Sequence, residues 1–107
     1  MKIPDNCCQT DRLATLAAAL AHPSRLLILS HLSGHGACCC KDVVQKLDLA
    51  QSTVSQHLKV LVEAGLVRFS PEQQRSRYTV DTEAVERLSA QLSAYLAVCA
   101  GVERARN

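Results

Sequence analysis

Apolar residues recur at helical spacing from about Thr10, with Leu13, Leu16, Ala17 and Leu20 on one face, until Pro23 breaks the run. Proline is tolerated in the first turn of a helix, so Pro23 also opens a second helix carrying Leu26, Ile28, Leu29 and Leu32, which Gly34 and Gly36 close. His35-Gly36-Ala37-Cys38 reads as a loop. A short third helix holds Val43, Val44 and Leu47, and the turn at Asp48-Leu49-Ala50 leads into a fourth helix from about Gln51 to Ala64, with Gly65 as its left-handed stop. In that helix Val54, Leu58, Leu61 and Val62 share the core side, while Ser52, Ser55, Gln56 and Lys59 line the opposite one.

Beyond it, Leu66 to Ser70 and Arg77 to Val80 are β-prone and separated by Pro71-Glu72-Gln73-Gln74-Arg75, which predicts a hairpin with a long loop. Alternation turns Val67, Phe69, Tyr78 and Val80 inward and leaves Arg68 and Arg77 outward, near Arg75. A last helix from about Thr82 repeats Val85, Leu88, Leu92, Tyr95 or Leu96, and Cys99 at steps of three and four, a seam that should bury against a partner. The pattern predicts a mainly α fold with a β-hairpin wing, a winged helix-turn-helix in the order α-α-α-α-β-β-α. Residues 1–107 form one domain: an arm over 1–9, the helix-turn-helix over 40–64, the wing over 66–80 and a dimerisation helix over 82–100.

Composition narrows the function classes. A chain of 107 residues holds one core, and 48% apolar with 21% charged residues suits a folded domain. The start Met1-Lys2-Ile3-Pro4-Asp5 carries no apolar stretch with a cleavage site, and no run approaches the ~18 apolar residues of a membrane span, so a cytoplasmic protein without a membrane partner is expected. A net charge of +2 is low for a domain that binds nucleic acid by bulk charge. A DNA-binding reading must therefore rest on where the charges stand.

The fourth helix supplies that placement. A groove about 12 Å wide admits one helix, whose short hydroxyl and amide side chains reach base edges and phosphates while lysine neutralises phosphate. Gln51, Ser52, Thr53, Ser55, Gln56 and Lys59 are the candidate contacts to double-stranded DNA, with Arg75 and Arg77 of the wing following the adjacent backbone or minor groove.

Three stretches carry a resemblance: Ala21-His22-Pro23-Ser24-Arg25-Leu26-Leu27-Ile28-Leu29, Gln51-Ser52-Thr53-Val54-Ser55-Gln56-His57-Leu58-Lys59-Val60-Leu61 and Glu63-Ala64-Gly65-Leu66-Val67. Together they resemble the ArsR/SmtB family of metal-responsive winged-helix repressors, over roughly Leu13 to Val98. The resemblance implies a homodimer joined through its first and last helices, recognition helices reading two half-sites of a palindromic operator, and release from DNA when an effector binds. Ala50 stands where the family often has a helix-capping serine; Ser52 or Thr53 with Gln56 are the substitutes at hand. His57 matches a family histidine and is read as a packed, hydrogen-bonded ring.

Six cysteines remain, at Cys7-Cys8, Cys38-Cys39-Cys40 and Cys99, with no Cys-x-x-Cys pair. That spacing argues against a zinc ribbon or thioredoxin-like chemistry, and adjacent cysteines bridge each other poorly. Neighbouring thiolates still grip one soft ion. In arsenic-responsive members of the resembled family a Glu-Leu-Cys-Val-Cys-Asp stretch opens the third helix; alignment on Asp42 and Ser52 puts Cys39 on its first cysteine and Lys41 on its second, while Cys38 and Cys40 restore the spacing one residue earlier. Other members join a vicinal pair near the N-terminus to a cysteine before the third helix. The expected effector is trivalent arsenic or antimony, As(III) or Sb(III), held by Cys7 and Cys8 with one thiol from Cys38, Cys39 or Cys40; no organic cofactor is expected. Cys99 reads as a packing residue. Thr82 to Ala100 contains no histidine, which argues against the zinc site that relatives build on the last helix.

Two competing readings remain. One is a redox or persulfide-sensing repressor of the same fold, pairing Cys99 with Cys39. The other is a thiol enzyme or metal carrier that binds no DNA, for which His35 lies near Cys38.

Overall fold

The computed structural model describes residues 7–72 and 76–101, the side chains of Cys7 and Cys8 excepted. Their elements run α1 (Cys7–Ala19), α2 (Pro23–His35), α3 (Cys40–Leu47), α4 (Gln51–Glu63), β1 (Val67–Pro71), β2 (Ser76–Val80) and α5 (Thr82–Ala100). This is the predicted order. The first helix begins at Cys7, earlier than the expected start near Thr10, so the vicinal cysteines lie in its first turn.

Local chemistry explains most boundaries. The His22 ring nitrogen Nδ1 accepts from Ser24 N at 3.1 Å, and Pro23, with no amide proton to satisfy, follows the cap. Gly34 is absorbed into α2, which stops at Gly36 with φ of 68°. Between α3 and α4 the chain reverses through Asp48 in the left-handed region, φ 54°, a conformation that aspartate tolerates better than most side chains. After α4, Gly65 takes φ of 82° while Leu66 N donates to Leu61 O at 3.0 Å, closing the helix as expected.

The core lies where α2, α3 and α4 meet the start of the hairpin: Ile28, Leu32, Val43, Val54, Leu58, Leu61 and Leu66 are fully buried, joined by Leu16, Ala19, Val67 and Leu88. β1 and β2 pair antiparallel in the register Val67↔Val80 and Phe69↔Tyr78. Val67 and Val80 at its base and Tyr78 of β2 pack against the core, while β1 beyond Val67 is exposed. Val67 is 2% exposed, whereas Phe69, expected inward, is 46% exposed, its ring centroid 5.4 Å from that of Tyr78. Alternation assigns a face to Phe69, but that face looks onto an open cleft against Ser55, Lys59 and Val62 of α4, which leaves the ring partly uncovered.

A short addition escaped the pattern reading. Cys38 forms an antiparallel bridge to Tyr78, with Cys38 N donating to Tyr78 O at 3.0 Å and Tyr78 N to Cys38 O at 2.7 Å. The expected loop before α3 is thus stitched to the wing. α1 lies along α5, yet on the α5 seam only Leu88 is buried; Val85, Leu92 and Tyr95 are half-buried, and Leu96 and Cys99 are exposed. Among the described residues no single helix is long and apolar enough to cross a membrane.

Candidate nucleic-acid interface and the thiols beside it

α4 is held by its buried face, Val54, Leu58 and Leu61, together with His57, which is 8% exposed; Val62, expected in the core, is half-buried. His57 reaches the core side because it stands three residues after Val54 and four before Leu61. Arg25 Nε donates to His57 Nδ1 at 3.1 Å, and Arg25 Nη1 donates to the carbonyls of Ala18 and Ala19 at 3.2 and 3.5 Å. The His22 ring packs at 4.4 Å between centroids. This cluster ties α4 to the junction of α1 and α2. Burial first, then the charges of His22 and Arg25, lower the His57 pKa below its ordinary 6.5.

The opposite face is open. Gln51, Ser52, Thr53, Ser55, Gln56 and Lys59 are all exposed. The N-cap is Ala50, and no side-chain cap bond is made there, so Ser52, Thr53 and Gln56 do not replace the missing capping serine. The first turn of α4 consequently points amide protons outward with no side-chain acceptor of its own, and a helix start in that condition favours phosphate. Arg77 is less free than its outward register suggests: Nε donates to Glu72 Oε2 at 3.2 Å and Nη1 to Ala37 O at 3.5 Å. Arg75 lies outside the described residues.

The triplet cysteines part company. Cys38 is buried, with Sγ 3.9 Å from His31 Nε2 and donating to Gly36 O at 3.6 Å. Burial raises its pKa, helped by the negative charges of Asp42 and Cys39, so the free thiol holds its proton. Cys39 is buried at the N-cap of α3, its amide donating to Asp42 Oδ2 at 3.1 Å. Cys40 is half-buried, and its Sγ lies 3.6 Å from Ser55 Oγ on α4. A soft trivalent ion needs thiolates aimed at one point. The triplet offers single donors facing different neighbours, so it fits such an ion only with sulfurs supplied from elsewhere. The side chains of Cys7 and Cys8, the expected suppliers, lie outside the described residues.

A short helix, a tight turn and an exposed polar helix beside a hairpin define a winged helix-turn-helix regulator. Comparison with known proteins agrees. Residues 22–68 match the arsR family of bacterial regulatory proteins. The chain is 35% identical over 82 residues to the HTH-type transcriptional regulator YgaV of Escherichia coli, spanning 77% of this chain and 83% of that protein. It is 32% identical over 80 residues to the arsenical resistance operon repressor of Staphylococcus xylosus, spanning 75% and 76%. A homodimeric winged helix-turn-helix DNA-binding domain from Mycobacterium bovis superposes with a TM-score of 0.71 at 28% identity, covering 88% of this chain and 87% of that one. The chain belongs to the ArsR family and is a transcriptional repressor of the ArsR/SmtB type, not an enzyme.

Proposed function

We propose that this repressor grips operator DNA as a homodimer and is released by trivalent arsenic or antimony bound to cysteine thiolates. Gln51, Ser52, Thr53, Ser55, Gln56 and Lys59 read the major groove, with Arg75 and Arg77 on the flanking backbone. The dimer is supported by the unfilled apolar surface around α1 and α5, where Leu96 is 54% exposed and a cleft of about 250 Å³ is lined by Leu13, Ala94, Tyr95 and Val98, and by the homodimeric relative from Mycobacterium bovis. The metalloid reading draws on the repressor relative from Staphylococcus xylosus and on the five thiols in two vicinal clusters.

One observation carries the coupling between effector and DNA: the Cys40 Sγ to Ser55 Oγ contact of 3.6 Å joins the thiol-bearing start of α3 to the DNA-facing side of α4. Bringing a thiol of the 38–40 cluster onto an ion shared with Cys7 and Cys8 shifts α3, and α4 with it. The two recognition helices then no longer match half-sites about 34 to 36 Å apart. By reciprocity, operator DNA weakens effector binding by the same factor, ~5- to 150-fold for a coupling of typical size. The test is a gel shift on duplexes selected by the protein itself, with arsenite or antimonite added. Release is expected from the natural protein and is abolished by the double substitution Cys7→Ser, Cys8→Ser. Unchanged release from that variant, or no release by either metalloid, rejects the assignment.

A further inference from the structure

We propose a second, separate metal site at the C-terminal end of α2, in which His31, His35 and Cys38 take a zinc-class divalent cation. A cleft of about 350 Å³ opens here, lined by these three residues with Asp42, Gln45 and Lys46. His31 Nε2 and Cys38 Sγ stand 3.9 Å apart. In a tetrahedral zinc site, with nitrogen at about 2.0 Å and sulfur at about 2.3 Å, neighbouring donors are about 3.5 Å apart, so a small approach brings this pair to one edge of such a site.

His35 supplies the third donor. It lies one helical turn after His31, with ring centroids 4.1 Å apart, and its Nδ1 is 2.8 Å from the His31 carbonyl oxygen. A carbonyl only accepts, so Nδ1 carries the proton and Nε2 keeps its lone pair. Among the described residues no three His, Cys, Asp or Glu groups already converge on one point. The closing movement is a rotation of His35, which is exposed at the helix end and gives up its bond to the His31 carbonyl and its stack on the His31 ring as it turns. Two imidazoles and one thiolate match the borderline softness of zinc, and water fills the fourth position. The Asp42 carboxylate at the cleft offsets the charge of Lys46.

Cys38 is also the residue that bridges to Tyr78 of the wing, directly before the N-cap of α3. A cation on this trio therefore clamps the end of α2 to both the wing and the start of the helix-turn-helix. The inference does not rest on the arsenic reading, since neither Cys7 nor Cys8 takes part; with Cys38 committed here, the third thiol of the arsenic site is Cys39 or Cys40.

The test uses the full reduced chain titrated with cobalt(II) as a spectroscopic stand-in for zinc, with circular dichroism confirming each variant's fold. One cobalt per chain is expected, with a thiolate-to-cobalt charge-transfer band, and zinc displaces it and raises the Tm. His35→Ala, at an exposed position, and His31→Gln each weaken cobalt binding at least ten-fold. Cys38→Ser removes the charge-transfer band, and the double substitution Cys7→Ser, Cys8→Ser leaves band and affinity unchanged. Failure of the natural protein to bind cobalt, undiminished affinity in both histidine variants, persistence of the band in Cys38→Ser, or its loss on replacing Cys7 and Cys8 would each overturn the proposal.

Discussion

His57 shows how one side chain can make the repressor's stability depend on pH. Its Nδ1 accepts a bond from Arg25, a permanently charged donor, and His22 packs against it. Protonation of His57 removes the acceptor and sets like charges together. Because the folded chain holds His57 below its ordinary pKa of 6.5, the unfolded chain takes up the proton first as pH falls. The stabilisation is complete above 6.5 and is lost as pH drops from there through the lowered value. His31, also lowered chiefly by burial, acts with the same sign. Melting curves are expected to show a Tm that falls between pH 8 and pH 5, with a smaller fall in His57→Gln. An equal fall in that variant contradicts the role given to His57. The packed reading of this ring follows from its position on α4; its bond to Arg25, 32 residues earlier, does not, because nothing in a helical period records which distant side chain meets it.

At the scale of elements, α4 combines a core face with an unfinished start. Supplying the missing cap by Ala50→Ser should raise stability by about 0.5 to 2 kcal/mol, read as a higher urea midpoint at unchanged slope. Leu58→Ala or Leu61→Ala, both at fully buried positions, should cost about 2 to 5 kcal/mol in the same measurement. The wing behaves differently. Phe69 stands out from the core, and Phe69→Ala should cost only about 0.5 to 1.5 kcal/mol, the worth of its ring contact with Tyr78. The start of α2 and the end of α4 were legible because proline, glycine and periodic leucines act locally, whereas Gly34 and His35, read as a stop and a loop, lie inside α2. The Cys38 bridge was not, since a one-residue strand has no period to detect.

For the whole molecule the functional quantity is operator affinity and its dependence on salt. Its modest net charge of +2 makes the exposed Lys59 count for more, and dimerisation doubles it. Lys59→Ala is expected to weaken binding to all sequences alike and to lower the salt slope by about one per subunit, whereas Gln56→Ala should relax base preference at one position of each half-site. Leu96→Glu places charge on the exposed seam of α5 and should shift the protein toward monomer in sedimentation, with loss of operator binding.

The order of elements, the polar face of the recognition helix and the family were all readable from the chain. Each rests on residues within a few positions of one another, where spacing alone decides which side chains share a face. Tertiary packing sorted the three adjacent thiols, sending Cys38 to His31 and Cys40 to Ser55 and burying Cys39 at a helix cap. It also bound His57 to Arg25 and left Phe69 partly uncovered. These outcomes depend on which elements pack around a bend and on where the core ends, and neither is written in a local period.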